Sequence, residues 1–201
     1  MTRIAVVSAG LSQPSSTRLL ADRLATATGE ALANSSADVT FDIVELREHA
    51  RDLADNLVTG FAAGALREAI DTVVTADGLI AVTPIFNASY SGLFKTFFDV
   101  LEPDSLSGMP VLLGATGGSA RHSLALEHAS RPMFSYLRAV VAPTSVYAAS
   151  EDWASAESDG LSTRIDRAAT EFAALLTKTP RPRSTDPYDE PLPFAQLLGN
   201  H

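Results

Sequence analysis

A chain of 201 residues, 46% apolar and without cysteine, can build one sizeable core but offers no disulfide, thiolate metal site or thiolate nucleophile. The formal net charge of −9 argues against binding nucleic acid or an anionic membrane, both of which rest on clustered lysine and arginine. No apolar run approaches the ~20 residues that span a bilayer, and the apolar stretch in "MTRIAVVSAG" is too short for a signal peptide, so a soluble, cytoplasmic domain is expected.

The first element is a strand, "RIAVVS" (3–8), rich in β-branched residues and apolar throughout. It runs into a loop and helix, "SAGLSQPSSTRLLADRLA", with hydroxyls at Ser8, Ser12, Ser15, Ser16 and Thr17. Leu19, Leu20, Leu24 and Ala27 share a face of the helix predicted over 16–33. A helix start offers unpaired N–H groups and about half a positive charge, so these hydroxyls suit a phosphate monoester. One of them could simply cap the helix, as serine and threonine often do at about 1 kcal/mol. Four such side chains between residues 12 and 17 exceed that need. The loop has neither the Walker "GxxxxGK(S/T)" nor the Rossmann "GxGxxG" pattern, which disfavours phosphoryl transfer and a Rossmann-type dinucleotide site. Arg18 is the nearest fixed cation.

The alternating "VTFDIVEL" (39–46) reads as an edge strand. A helix is predicted over 61–76, then a buried strand, "GLIAVTP" (78–84). Proline holds Thr83 out of the helical region, so Thr83 and Pro84 deliver Ile85, Phe86 and Asn87 to the edge of the sheet, as flat apolar surface and an amide. Ser89 or Ser91 can cap the helix predicted over 90–101. Its Tyr90, Phe94, Phe97 and Phe98 suit a core or a subunit interface, and Lys95 a solvated or interface position.

The strand "MPVLLGAT" (109–116) leads into "ATGGS", Ala115 to Ser119. Gly117 and Gly118 lack Cβ atoms, letting a planar ligand approach the backbone, while Thr116 and Ser119 add hydrogen-bonding groups. An ordinary turn with a cap is the competing explanation. His122 and His128, on a helix predicted over 119–137, are six residues apart and so do not share a face as i, i+4 ligands would. Neither metal-ligand spacing nor a "GxSxG" elbow occurs, so no metal and no hydrolytic triad is expected. The last strand and helix fall at "RAVVAPTSVY" (138–147) and 161–177. From Thr179 onward, Pro180, Pro182, Pro187, Pro191 and Pro193 rule out a helix. The expected division is a domain over 1–178 and a proline-rich tail over 179–201, in which "PFAQLL" favours docking on a neighbouring surface.

Strands alternating with helices imply right-handed crossovers and a parallel sheet covered on both faces. The expected fold is an α/β, flavodoxin-like three-layer sandwich with five parallel strands in the order 2-1-3-4-5. Ligands then bind at the carboxyl ends of the strands, where the three unusual loops meet.

Together, the hydroxyl-rich first loop, "TPIFNASYSGLFKTFFDVL" and "ATGGSARHSLALEHASRPMFSYLRA" resemble the NADPH-dependent FMN reductases of the flavodoxin-like superfamily. The resemblance covers about 3–177 and extends to the small flavin reductases that supply two-component monooxygenases, including an actinobacterial branch with a long proline-containing tail. It implies FMN and NADPH as ligands, a flavin-dependent monooxygenase as partner, and a homodimer or homotetramer. On this resemblance Ser8, Ser12, Ser15, Ser16 and Thr17 form the phosphate loop. Thr83, Pro84, Ile85, Phe86 and Asn87 line the isoalloxazine, and Ala115, Thr116, Gly117, Gly118 and Ser119 meet its polar edge. His128 matches a tyrosine that some sulfonate-linked relatives insert as a π-bulge.

Many relatives read "GSxR" in the first loop, where this chain has Gly10 and Ser12 in place of the serine and arginine. A lost charge-assisted bond costs about 1.5–3 kcal/mol, so the flavin is expected to come and go as a substrate. Hydride transfer between stacked rings needs positioning more than an acid or base, and no catalytic side chain is assigned. The alternatives are a quinone or azo reductase with tightly bound FMN, a flavodoxin-like electron carrier, and a structural subunit without flavin.

Overall fold

The computed structural model describes residues 1–33, 38–154 and 159–178. The expected tail over 179–201 lies outside the described residues. Strand β1 (Thr2–Ser8) runs parallel between β2 (Val39–Glu45) and β3 (Gly78–Phe86), and β3 in turn pairs in parallel with β5 (Pro110–Gly117). Ile4 and Val6 point to one face of the sheet, Ala5 and Val7 to the other, and all four are fully buried. This two-sided burial is why the run reads as continuously apolar.

Helices α1 (Ser16–Ala33) and α7 (Asp159–Lys178) cover the first face through Leu20, Leu24, Ile165 and Phe172. The second face is covered by α3 (Gly64–Val74), α4 (Gly92–Asp99) and α5 (Arg131–Tyr136), which contribute Leu66, Val73, Phe94 and Phe134. The flavodoxin-like α/β sandwich is therefore present. Phe94, Phe97 and Phe98 are buried in the chain's own core, which removes them as apolar surface for a subunit contact.

The strand count needs correction: among the described residues the sheet has seven strands rather than five, in the path β2-β1-β3-β5-β6. The predicted last strand is split into β6 (Val140–Val141) and β7 (Val146–Ala149), both parallel to β5. Pro143, between them, has no N–H to give to a ladder. The gap is held by Arg131, whose guanidinium donates to the carbonyls of Ala142 and Pro143 and to Ser145 Oγ, each at 3.0 Å. The other added strand, β4 (Ser89–Tyr90), folds back antiparallel on Ile85 and Phe86.

Two helices also depart from expectation. Residues 119–137 form a 3-10 turn (Ala120–His122), a π-helical turn (Leu126–Ser130) and then α5. Pro132 cannot donate the next helical bond, and the Arg131 N–H reaches back to the Leu126 carbonyl instead. An additional helix, α2 (Ala50–Thr59), follows a 3-10 turn at Leu46–His49.

Candidate functional site

Strand register sets the site. Ser8 pairs with Glu45 on one side and Val82 on the other, Pro84 pairs with Thr116, and Gly117 with Ala149. The loops after β1, β3, β5 and β7 therefore open at one sheet edge, around a cavity of about 620 Å³.

In the first loop, Ser12, Ser16 and Thr17 line this cavity. Ser15 does not; its Oγ accepts the Arg18 N–H at 3.2 Å and caps α1, so the ordinary capping role falls to this residue. Ser8 is buried at the end of β1. Gly10 is required by close packing: a Cβ there would lie 2.0 Å from Ser15 Oγ and 3.2 Å from Thr17 Cβ. The Thr17 hydroxyl meets the Thr116 hydroxyl at 2.8 Å in a buried bond that ties the first loop to the third.

Arg18 turns toward β2, pairing with Asp22 at 2.8 Å and with Glu45. The hydrogen bond with Asp22, opposed by desolvation and supported by the charges of Asp22 and Glu45, raises its pKa further above the ordinary arginine value. Arg47 pairs with Glu45 at 2.7 Å and donates to the Ser12 carbonyl at 3.4 Å.

In the second loop, Pro84, Ile85 and Phe86 line the cavity. Thr83 works behind them: its buried hydroxyl donates to the Pro84 carbonyl at 2.9 Å and accepts the Ser91 N–H at 3.1 Å. Ser91, of the two candidate caps, accepts the Phe94 N–H and starts α4. Asn87 (φ 49°) and Ala88 (φ 69°) make the tight turn between β3 and β4, so Asn87 acts as a turn residue, consistent with the tolerance of asparagine for left-handed backbone. Lys95 pairs with Asp99.

In the third loop, Thr116, Gly117 and Gly118 line the cavity, while Ala115 is core and Ser119, half-buried, is not part of the lining. A Cβ on Gly117 would lie 2.0 Å from Tyr147 Oη. The Tyr147 hydroxyl donates to the Ser119 carbonyl at 2.8 Å, and burial, aided by Glu151 and Asp152, pushes its pKa up. The loop is thus backed by a neutral phenol. Around Gly118 a Cβ would meet nothing within 4 Å, leaving that backbone open to a ligand.

Three further walls escaped the sequence reading: Leu11, Ser150 and Trp153. The last two belong to α6 (Ser150–Ala154), which follows β7. Asp152 fixes this turn by accepting the Ala149 N–H and pairing with Arg164, both at 2.8 Å, and the Arg23 guanidinium lies 5.2 Å from the centre of the Trp153 ring. The usable signal was position, at the carboxyl end of a predicted strand. Neither His122 nor His128 lines the cavity; His128 faces a separate cleft with Tyr90 and Met133.

Among the described residues, no acid or base lines the cavity. It offers hydroxyls beside a helix start, flat apolar surface, and glycine backbone. That set is suited to a planar anionic group, and the residues fit a flavin mononucleotide.

The Thr17–Thr116 bond provides a first test. Thr17→Val is expected to cost about 1–3 kcal/mol, because it leaves the Thr116 hydroxyl buried and unpaired. Thr17→Val with Thr116→Val is expected to recover much of that loss, in a double-mutant cycle measured by urea unfolding.

Residues 2–154 match the family model of NADPH-dependent FMN reductase. The chain is 35% identical to FMN reductase (NADPH) of Pseudomonas aeruginosa over 176 residues, 87% of this chain and 92% of that protein. It is 36% identical to the NADH-dependent FMN reductase SfnE of Pseudomonas putida over 175 residues, 86% and 91% of the two chains. An oxidoreductase structure from Corynebacterium diphtheriae superposes with a TM-score of 0.86 at 46% identity, covering 89% of this chain and 98% of that one. On its sequence, its fold and the make-up of its cavity, the chain belongs to the NADPH-dependent FMN reductase family.

Proposed function

We propose that this protein is an NAD(P)H:FMN oxidoreductase that takes FMN as an exchangeable substrate and passes it, reduced, to a flavin-dependent monooxygenase. The observation that carries this reading is a cavity with hydroxyls at one end, planar walls along it and, among the described residues, no titratable side chain in its lining. FMN, when bound, supplies the hydride acceptor. Ser12, Ser16 and Thr17, with the first N–H groups of α1, hold its phosphate. Pro84, Ile85 and Phe86 lie along the ring. The N–H groups of Gly117 and Gly118 face its polar edge and favour negative charge there. Ser8, Thr83 and Ala115 support these loops from the core, Ser15 caps α1, Asn87 makes the β3–β4 turn, and Ser119 is tied to Tyr147 through its carbonyl.

The working unit comprises 1–178, with 179–201 as an appended tail, acting in the cytoplasm as a homo-oligomer. No described helix is long and apolar enough to cross a membrane, and Val58, Phe61 and Tyr136 remain exposed as apolar surface for a second copy.

The deciding experiment titrates purified protein with FMN, then adds NADPH or NADH and follows absorbance. FMN-dependent oxidation of the nucleotide is expected; its absence would refute the proposal. A flavin that copurifies in stoichiometric amount, with ping-pong quinone turnover, would instead identify a quinone reductase. Bound FMN that neither nucleotide bleaches under anaerobic conditions would identify an electron carrier.

A further inference from the structure

We propose that Glu45 sets how readily the flavin phosphate leaves, by holding the two arginines beside the phosphate loop in neutral pairs. This rests on the placement of the phosphate at Ser12, Ser16 and Thr17. Glu45 ends β2 and is the register partner of Ser8, where the first loop begins. One of its carboxylate oxygens pairs with Arg18 and the other with Arg47. Both arginines adjoin the loop: Arg18 follows Thr17 along α1, and Arg47 touches the Ser12 carbonyl. Arg18 is also taken by Asp22, so these two cations face two carboxylates and their charges cancel. The side chains of Glu45, Arg47 and Arg18 are 17%, 21% and 31% exposed, so solvent screens the cluster only in part. Arg23, a further turn along α1, is turned onto the Trp153 ring.

An anion at this loop therefore meets hydroxyls and N–H groups without net attraction from the cations nearest to it. Such a balance suits a reductase whose product must depart, because a strongly held phosphate would keep the reduced flavin on the protein.

The test compares FMN with riboflavin, which has the same ring but no phosphate, by fluorescence titration of the wild type and Glu45→Gln. The amide keeps the shape and removes the charge. FMN affinity is expected to rise on the order of fivefold, from the gain of one unit of positive potential near the phosphate, with riboflavin affinity unchanged. The ratio of the two dissociation constants should then become steeply salt-dependent, whereas in the wild type it stays nearly flat between about 20 and 500 mM salt. A wild type that prefers FMN, with an unchanged ratio in Glu45→Gln, overturns the role of Glu45 and leaves the phosphate placement intact. A wild type that binds both flavins equally overturns the phosphate placement, and the proposal with it. Should Glu45→Gln fail to fold, the wild-type salt series decides: a flat ratio supports neutral pairing and a steep fall refutes it.

Discussion

Replacing Phe94 with alanine is expected to cost about 3–5 kcal/mol of unfolding free energy, a large share of the 5–15 kcal/mol typical of a folded domain. Phe94 is fully buried, and its ring centre lies 4.8 Å from that of Phe98, 6.2 Å from Phe134 and 6.0 Å from Tyr90. Truncation removes the apolar contact and opens a space that α4 and α5 cannot close together, since Phe98 and Phe134 already pack edge-on at 4.8 Å. Alanine keeps the backbone bonds that lead from α4 to the cavity. The Phe94 N–H is held by Ser91, and the Ser91 N–H by Thr83, directly behind Pro84 and Ile85. Urea unfolding followed by far-UV circular dichroism measures the effect; a change below about 1 kcal/mol would show that the cavity term is missing.

The second large effect is expected for Gly10→Ala. The new methyl group would lie 2.0 Å from Ser15 Oγ and 3.1 Å from Ser15 Cβ, so Ser15 must turn away and release the Arg18 N–H, a cap worth about 1 kcal/mol. Thr17, 3.2 Å away at its Cβ, must also shift, weakening its buried bond to Thr116 at a cost of about 1–3 kcal/mol. We expect a total loss of about 2–4 kcal/mol in stability and about tenfold weaker FMN binding, equivalent to about 1.4 kcal/mol. The same substitution in a Ser15→Ala background should be milder, because the closest contact is gone. Equal losses in both backgrounds would refute the packing explanation.

The resemblance read in three loops corresponds to the family that the chain belongs to, and the reason is physical. Buried strands such as Ile4–Val7 must be apolar on both faces, and the loops at their carboxyl ends must carry the polar chemistry. What stayed illegible depends on backbone direction and on distant partners. Ser15 and Ser16 are adjacent hydroxyls in the sequence, yet only the path of the chain into α1 makes the first a cap and the second a wall. Gly10 looks like a lost serine until Ser15 is seen to fill the space. Pro143 and Pro132 were visible, but a single long strand and a single long helix explained the apolar pattern equally well. Helix α2 is polar on the whole and buries only Leu53 and Asn56, so a reading that follows apolar runs passes over it. Glu45 and Arg47, at the end of β2, and Trp153, after β7, reach the site's end of the sheet only through the strand order.

Trp153 is the sole tryptophan of the chain, and it forms part of the cavity wall. All indole emission from this protein therefore originates at one side of the candidate site, within energy-transfer range of any yellow chromophore lodged there. The molecule carries its own optical gauge of occupancy, so that arrival and departure of a flavin can be timed in the unlabelled, unmutated protein.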